Sequence, residues 1–380
     1  MKNNQFYDRC LLFLFLGIIL FGFIMVFSAS ISIGEKLLND PFYFFKKSLV
    51  HLVLILVLSI LVLSTEIRFW EKYGNSLFIL TIIMLVIVLL KGSSIRGSIR
   101  WISFGIIKIQ PAEILKLTLL VYISNYLKKK SKEIKKNFWD FFKPILVIMI
   151  ISILLLAQPD FGTVIILFLT VLSVVFLAGV NLRQFFFTII LGLLILICLV
   201  FLKPYRIKRI SSFLNPWNDP FGDGYQLTQS LMAFGRGSFF GQGLGNSIQK
   251  LEYLPESHTD FILAVIAEEL GYIGSSLVVF IIFFIFIKSL SIGKKSVQIR
   301  RKFSGFLAFS IGICLAYQSI INIGVVIGFL PTKGLTLPFI SYGGSSLVIF
   351  SLHIMLLLRI DFENNLKQTQ VFLVEKNEKK

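Results

Sequence analysis

Long apolar runs recur from one end of this chain to the other, and they restrict its fold more than any other feature. A helix needs about 20 apolar residues to cross the hydrocarbon core of a bilayer. Of the 380 residues, 56% are hydrophobic. The sequence therefore predicts an all-α, polytopic integral membrane protein with about ten transmembrane helices. Their approximate bounds are 10–29, 48–65, 75–91, 110–127, 143–158, 161–181, 184–202, 259–288, 303–329 and 336–359.

Basic residues are concentrated in two loops between the apolar runs, and they determine the predicted topology. The chain carries a formal net charge of +18, and the clusters lie at about 128–143 and 288–302. Loops rich in lysine and arginine remain on the cytoplasmic side of a membrane. Because the clusters follow the fourth and eighth runs, they fall on one side, and both termini are predicted to be cytoplasmic. Apolar spans flank both clusters, so we expect no nucleic-acid partner.

The whole chain is predicted to form one membrane domain, residues 1–365, with a polar cytoplasmic tail, 366–380. The sequence after Arg359 is polar and charged, and it is predicted to lack regular structure. One large extracytoplasmic loop covers about 203–258.

Within the loop 203–258 a short amphipathic helix is predicted. Leu227, Leu231 and Phe234 recur there at helical spacing. Loops of this length are usually functional, which makes the segment a candidate part of a site.

The stretch from Pro255 to Asp260 joins the large loop to the eighth apolar run and holds the leading site candidate. Pro255 cannot continue a preceding helix. Thr259 suits the N-cap of the next helix, which would place Asp260 in its first turn, facing the positive end of the helix dipole. Asp260 is therefore either a structural acid at a helix start or a charged group at the mouth of a membrane helix, with Glu256 and His258 beside it.

Charged residues near the starts of the fourth and sixth runs are further candidates. Glu113 and Lys116 are three residues apart, so they share a helix face and can form a pair. Arg100 precedes them, and Asp160 lies in the turn before the sixth run. A neutralised pair and a helix cap are the structural interpretations. The functional ones are contact of Lys116 or Arg100 with an anionic substrate, and Asp160 as a second acid in an outward-facing site.

Two later segments add candidate residues on the outer side of the membrane. Glu268 and Glu269 lie about two turns into the eighth run, where a charge needs a partner. An ideal helix brings Glu268 closer than Glu269 to the side of Asp260, and pairing with a basic residue is the structural alternative for both. The last outer loop carries Lys333, and small residues that favour close packing or irregular backbone around a cavity follow it: Ser341, Gly343 and Gly344.

These residues leave two classes of function open. The sequence contains no phosphate-binding P-loop and no cysteine spacing typical of a metal site. Acids and cations gathered on the outer side indicate either an enzyme that acts on a lipid-linked anionic substrate or a transporter of such a lipid.

Several motifs closely resemble the SEDS family (shape, elongation, division and sporulation proteins), and the resemblance covers nearly the whole chain. The central one is LPESHTDF at 254–261. The others are RWI at 100–102, QPAE at 110–113, QPDFGT at 158–163 and SYGGS at 341–345. The division branch of the family is more similar than the elongation branch, through SLMAFGRG at 230–237, LGNS at 244–247 and PTKGL at 331–335.

The resemblance implies a peptidoglycan glycosyltransferase that polymerises lipid II during septal cell-wall synthesis, in the bacterial inner membrane at the division septum. It implies partners: a class B penicillin-binding transpeptidase and other membrane proteins of the division machinery. A lipid II flippase and a non-catalytic scaffold remain the alternatives.

The resemblance also implies that Asp260 is the general base for the acceptor hydroxyl in an inverting reaction. Fixed cations would stabilise the leaving pyrophosphate, and no cofactor is demanded by the sequence. A divalent cation, Mg²⁺ or Mn²⁺, that bridges the pyrophosphate is compatible with the sequence. The expected cations are Arg100, Lys116, Arg206, Arg209 and Lys333.

Overall fold

The structure is a computed structural model that describes residues 7–95, 98–104, 107–135, 137–201 and 204–378. Twelve α-helices are described, with a small antiparallel sheet between α3 and α4. The strands are β1 (Ser93–Ile95), β2 (Ser98–Phe104) and β3 (Ile107–Ile109). The helices are α1 (Arg9–Leu38), α2 (Tyr43–Ser64), α3 (Ile67–Lys91), α4 (Pro111–Lys130), α5 (Phe138–Ala157), α6 (Phe161–Leu177), α7 (Leu182–Phe201), α8 (Pro204–Leu214), α9 (Tyr225–Gly237), α10 (Ile262–Gln298), α11 (Lys302–Val326) and α12 (Gly344–Glu378).

All ten predicted apolar runs form helices, and the chain is a multi-pass membrane protein. Among the described residues, seven helices are long and apolar enough to cross a bilayer: α1, α2, α3, α5, α10, α11 and α12. Helices α6 and α7 are apolar but contribute shorter segments. Helix α4 carries Glu113, Lys116 and a basic last turn. The all-α prediction is confirmed, and the three short strands between α3 and α4 were not predicted.

Helix α11 lies at the centre of the bundle, packed against α4, α6, α10 and α12. Buried aliphatic and aromatic side chains from these helices form two apolar clusters. Large apolar side chains on the outside, such as Phe13, Val53, Ile60 and Phe280, are exposed. In a soluble protein such a surface would be unfavourable, whereas lipid tails solvate it.

Both basic clusters lie at one end of the bundle, as predicted. Lys302, at the start of α11, donates to Ser131 Oγ after α4 over 3.2 Å. Lys288 pairs with Asp8 at 2.9 Å, which brings the start of α1 to the same region. We call this the basic end, defined by residues 128–132 and 295–302, and the opposite end, where α4 and α10 begin, the cavity end.

The segment after Arg359 is helical, so the prediction that it lacks regular structure is wrong. Helix α12 continues to Glu378. Its polar residues have partners at the end of α10 and at the start of α11: Asn364 donates to Ser296 Oγ at 2.7 Å, and Glu363 pairs with Arg301. Tertiary contacts of this kind provide partners for the polar side chains, so a segment whose composition alone indicates disorder forms an ordered helix.

In the large segment predicted at 203–258, the described residues 204–258 are mostly ordered into short helices. Helix α9 is the amphipathic helix predicted from Leu227, Leu231 and Phe234, and the side chain of Leu227 on this helix is buried. The other helical elements of this segment are α8, one 3-10 turn (Pro216–Asn218) and one π-helical turn (Gln249–Tyr253).

Helix α10 is interrupted at Gly271, and the segment after α9 fills the break. Gly271 has φ +70°, a left-handed conformation that glycine adopts without steric cost. The amide of Gln242 donates to Glu268 O at 2.9 Å, and that of Tyr272 donates to Ser238 O at 3.0 Å. The interruption therefore leaves these backbone groups paired, as a helix buried in a membrane protein requires.

Gly237 is expected to tolerate no side chain. A Cβ at Gly237 would overlap the carbonyl oxygen of Ala267, whereas a Cβ at Gly235 would meet no atom within 4 Å. We expect Gly237→Ala to lower the free energy of unfolding by about 1–3 kcal/mol through overpacking. Thermal unfolding in detergent measures the effect. The matched variant Gly235→Ala should be neutral or slightly stabilising, and equal losses from both would contradict the assigned contact.

Candidate active site

A cavity of about 700 Å³ opens at the cavity end of the bundle. Its wall comes from α2, the sheet, the first turns of α4 and α6, α8, α9 and the loops at 256–261 and 332–346. Five cations, four acids and two histidines line it: Lys47, Arg100, Lys108, Arg209, Lys333, Glu113, Asp160, Glu256, Asp260, His51 and His258. Such a mixture suits a ligand that carries both anionic groups and hydroxyls.

Asp260 lies on this wall, in a turn that precedes α10. The helix begins at Ile262 with Phe261 at the N-cap position, so the prediction that Thr259 caps it and Asp260 occupies its first turn is wrong. The hydroxyl of Thr259 instead donates to the Glu256 carboxylate at 2.7 Å. Asp260 is half-buried, and it is held at the cavity by a turn rather than by a helix.

The loop that carries Lys333 is fixed against the backbone of Asp260. Asn322 of α11 donates to Asp260 O at 2.8 Å and to Leu335 O at 2.6 Å. A Cβ at Gly334 would lie 3.2 Å from Asp260 Oδ2. The backbone of Gly334 therefore runs directly beside the carboxylate, and Asn322 fixes the distance between them.

His258 is buried in an aromatic group on the α2 side of the cavity. Its ring lies 4.7 Å from Phe44 and 5.6 Å from Tyr342, centroid to centroid. The amide of Tyr342 donates to His258 O at 2.9 Å. Burial raises the pKa of Tyr342 to about 12, so its phenol remains protonated at neutral pH and available as a hydrogen-bond donor.

Glu113 and Lys116 form the predicted pair, with Nζ 2.7 Å from Oε1. Only Glu113 reaches the cavity, because Lys116 is completely buried behind it. Lys116 also donates to Gln318 Oε1 at 2.7 Å, and Gln318 donates to Thr336 O at 3.0 Å. The hypothesis that Lys116 contacts a substrate is therefore not supported; Lys116 positions Glu113 and, through Gln318, the loop at Thr336.

Asp160 and Arg100 join separate elements at the cavity. The Asp160 carboxylate caps α6, accepting from the amide of Thr163 at 3.3 Å and from its hydroxyl at 2.9 Å, and it also lines the cavity. Both predicted roles of Asp160 are thus compatible. Arg100, on β2, donates to the carbonyl oxygens of Gln158 at 2.9 Å and of Pro159. It ties the sheet to the α5–α6 turn.

Two cations face the cavity from the large segment and the last loop. Arg209 of α8 donates to Thr332 O at 3.2 Å, and Lys333 Nζ lies 3.8 Å from the centre of the Phe161 ring. The side chain of Arg206 lies outside the described part of the structure.

Glu268 does not line the cavity, which corrects its predicted place near Asp260. It is completely buried and accepts from the amides of Ile248 and Gln249 at 3.0 and 3.2 Å and from the hydroxyl of Ser247. Its basic partner is Arg236, at 3.5 Å. The structural alternative, pairing with a basic residue, is confirmed.

The small residues of the last loop shape the wall. Ser341 Oγ accepts from the amide of Leu337 at 2.7 Å, and Gly343 and Gly344 line the cavity. A Cβ at Gly344 would collide with the imidazole of His51. Glycine at this position lets the loop approach α2.

Comparison with known proteins agrees with this architecture. The family described as “Cell cycle protein”, which groups FtsW, RodA and SpoVE, matches residues 8–366. The chain belongs to this family, the SEDS family. Among similar proteins is the “Probable peptidoglycan glycosyltransferase FtsW” of Buchnera aphidicola subsp. Acyrthosiphon pisum, 56% identical over 98% of this chain and 94% of that protein. The Escherichia coli O6:H1 protein of the same name is 54% identical over 97% of this chain and 89% of its own length.

Solved structures of the SEDS family share the fold. A chain from “Structural coordination of polymerization and crosslinking by a peptidoglycan synthase complex” gives a TM-score of 0.77 at 27% identity, covering 94% of this chain and 98% of that one. The rod shape determining protein RodA of Thermus thermophilus gives 0.69 at 25% identity, covering 93% and 96%.

The contribution of α2 to this cavity was not predicted from the sequence. Tyr43, Phe44, Lys47 and His51 of α2 line it. Lys47 and His51 are four residues apart, so they share one face of an apolar helix. A polar face at helical spacing was the signal that could have identified them.

The described residues include no group of three or more His, Cys, Asp or Glu side chains that could hold a metal.

Proposed function

We propose that this SEDS protein is a peptidoglycan glycosyltransferase that polymerises lipid II. The observation that carries the proposal is the carboxylate of Asp260 on the wall of a cation-lined cavity at one end of a membrane bundle. The names of its relatives, at 54% and 56% identity, support the same activity.

In the proposed reaction Asp260 accepts the proton of the acceptor sugar hydroxyl. That oxygen forms a bond to the anomeric carbon of the donor while the bond from this carbon to the lipid pyrophosphate breaks. A single displacement inverts the anomeric centre. A correctly placed base contributes about 10²–10⁴-fold to the rate of such a step. The turn at 256–261 and the contact of Asn322 with Asp260 O supply the placement.

The cations of the cavity wall are proposed to stabilise the charge that develops on the pyrophosphate. Fixed cations act most strongly when they are positioned before the reaction. Arg209 and Lys333 are held by Thr332 O and by the ring of Phe161. A divalent cation, Mg²⁺ or Mn²⁺, bound mainly through the pyrophosphate would add to them.

The proposed setting is the bacterial inner membrane at the division septum, with the cavity end outside and the basic end in the cytoplasm. The basic clusters support this orientation. The proposed partners are a class B penicillin-binding transpeptidase and other membrane proteins of the division machinery. Similarity to a chain of a peptidoglycan synthase complex supports a transpeptidase partner.

Polymerisation of labelled lipid II tests the proposal. The purified protein, with its transpeptidase partner, is reconstituted in vesicles and supplied with lipid II. We expect glycan polymer that a muramidase degrades. Movement of lipid II across the bilayer without polymer would instead establish the flippase. If neither polymer nor movement is observed, the non-catalytic scaffold is the alternative that remains. The charged cavity wall at one end of the bundle favours chemistry there over transport.

Arg209 and Lys208 provide a matched test of the cations. Both are exposed on α8, but only Arg209 lines the cavity. Loss of a hydrogen bond to a charged group costs about 1.5–3 kcal/mol, so Arg209→Met should lower kcat/KM for lipid II by about tenfold to a hundredfold. Lys208→Met should leave it unchanged. Equal effects of the two variants would mean that α8 acts through its net charge and not through a contact in the cavity.

A further inference from the structure

A second cavity, of about 580 Å³, lies at the basic end of the bundle. The α2–α3 turn, the last turn of α4, the α10–α11 turn and the continuation of α12 form its wall. Seven basic and three acidic side chains line it. It is separated from the Asp260 cavity by the length of the bundle, and the proposed reaction uses none of its residues.

The acids of this cavity are largely neutralised within it. Glu363 pairs with Arg301 and, at 3.1 Å, with Arg359. Glu71 pairs with Lys128. The Arg301–Glu363 pair joins the α10–α11 turn to α12, and the Glu71–Lys128 pair joins α3 to α4.

Four further cations of the wall have no acidic partner among the described residues. Lys302 and Lys367 donate to uncharged oxygens, at 3.2 and 3.1 Å. Arg68 and Arg300 are exposed at the cavity and form no described ion pair. Glu66, the third acid, is exposed at the start of α3. The cavity therefore has an excess of positive charge that an anionic ligand would neutralise.

Arg300 is held in a backbone conformation that a non-glycine residue seldom adopts. Its φ is +63°, at the C-terminal end of α10, where glycine is the usual residue. The amides of Arg300 and Arg301 donate to Val297 O and Ser296 O at 3.0 and 2.8 Å, which closes the turn. Arginine here costs conformational free energy that glycine would not, and the conformation presents the side chain at the cavity.

Apolar side chains also line the cavity. Ile67, Phe303 and Leu366 contribute to its wall. Just beyond it, Phe69 and Tyr73 of α3 are exposed among the large apolar residues of the bundle surface. A phosphate in the cavity would thus have space beside it for attached acyl chains.

We propose that this cavity binds the phosphate group of an anionic phospholipid from the leaflet at the basic end. Clustered lysine and arginine side chains between transmembrane helices bind such head groups through charge, and each contributes about fivefold to affinity. The cations that would contact the phosphate are those without an acidic partner: Arg68, Arg300, Lys302 and Lys367.

Binding of short-chain phosphatidylglycerol to the detergent-solubilised protein tests the proposal, with short-chain phosphatidylcholine as the neutral reference. The test variant is Arg68→Gln with Arg300→Gly. Glycine suits the backbone at this position, so the substitution removes a charge without a folding penalty. We expect about 25-fold weaker binding of phosphatidylglycerol, because two cations are lost, and no change for phosphatidylcholine.

The matched control is Lys129→Gln with Lys132→Gln, two exposed lysines at the basic end that do not line the cavity. An equal loss from the control would overturn the site, because the binding would then depend on net charge alone. Inorganic phosphate and glycerol phosphate should bind far more weakly than the lipid. If either binds as tightly, the ligand is a soluble phosphate compound and the lipid assignment is overturned.

Discussion

Asp260→Asn is expected to abolish most polymerisation while the protein still binds lipid II. Asparagine preserves the size of the side chain but cannot accept the hydroxyl proton, so we expect turnover to fall by about 10²–10⁴-fold. The contact of Asn322 with the backbone of Asp260 does not depend on the side chain and should persist. Initial rates of polymer formation and equilibrium binding of labelled lipid II, measured on one preparation, separate the two effects.

The control for this variant is Asp223→Asn. Asp223 is an exposed acid of the same large segment that does not line the cavity. The Asp223→Asn variant should polymerise lipid II at the wild-type rate. If Asp260→Asn loses lipid II binding and turnover in equal proportion, Asp260 holds the substrate and the base assignment is wrong.

Glu269→Ala is expected to cause the largest loss of stability. Glu269 is completely buried, with Lys250 Nζ 2.6 Å from Oε1 and the Ser28 hydroxyl at 2.8 Å. Removing one partner of a buried pair leaves an uncompensated charge, which costs about 3–5 kcal/mol. The pair also joins α1, the π-helical turn and α10 beside the interruption at Gly271. Unfolding in a denaturing detergent titration measures the loss.

A double variant shows whether Glu269→Ala loses stability because the ion pair is broken or because side-chain volume is removed. In Lys250→Met with Glu269→Leu both charges are removed and apolar groups of similar size replace them, which is often neutral. We therefore expect the double variant to recover most of the stability lost in Glu269→Ala. If it is as unstable as the single variant, packing rather than the unpaired charge of Lys250 is the cause.

Local sequence patterns identified the ten apolar helices and the contact between Glu113 and Lys116 within one helix. The ten apolar runs and the Glu113–Lys116 pair, three residues apart, follow from hydrophobicity and helical spacing alone. The burial of Lys116 does not, because it depends on Gln318 of α11 and on Phe350 of α12, whose ring lies 5.5 Å from Nζ. Such contacts join residues more than 200 positions apart, and no local pattern encodes them.

The placement of Glu268 failed for a related reason. Its predicted angle relative to Asp260 assumed one continuous helix over both residues. The helix begins only at Ile262, and the segment 247–249 folds back onto Glu268. A residue's direction can be read from periodicity only where the helix is known to be continuous.

Chemical rescue of Asp260→Ala tests whether the carboxylate of Asp260 is the base of the reaction. Alanine leaves space where the carboxylate stood, and formate is a carboxylate small enough to enter it. Polymerisation of labelled lipid II is measured for wild type, Asp260→Ala and Asp260→Asn at increasing formate concentration. We expect Asp260→Ala to be inactive without formate and to recover activity as formate rises, while Asp260→Asn, whose amide fills the space, does not recover. If folded Asp260→Ala polymerises lipid II at the wild-type rate without formate, Asp260 is not the base.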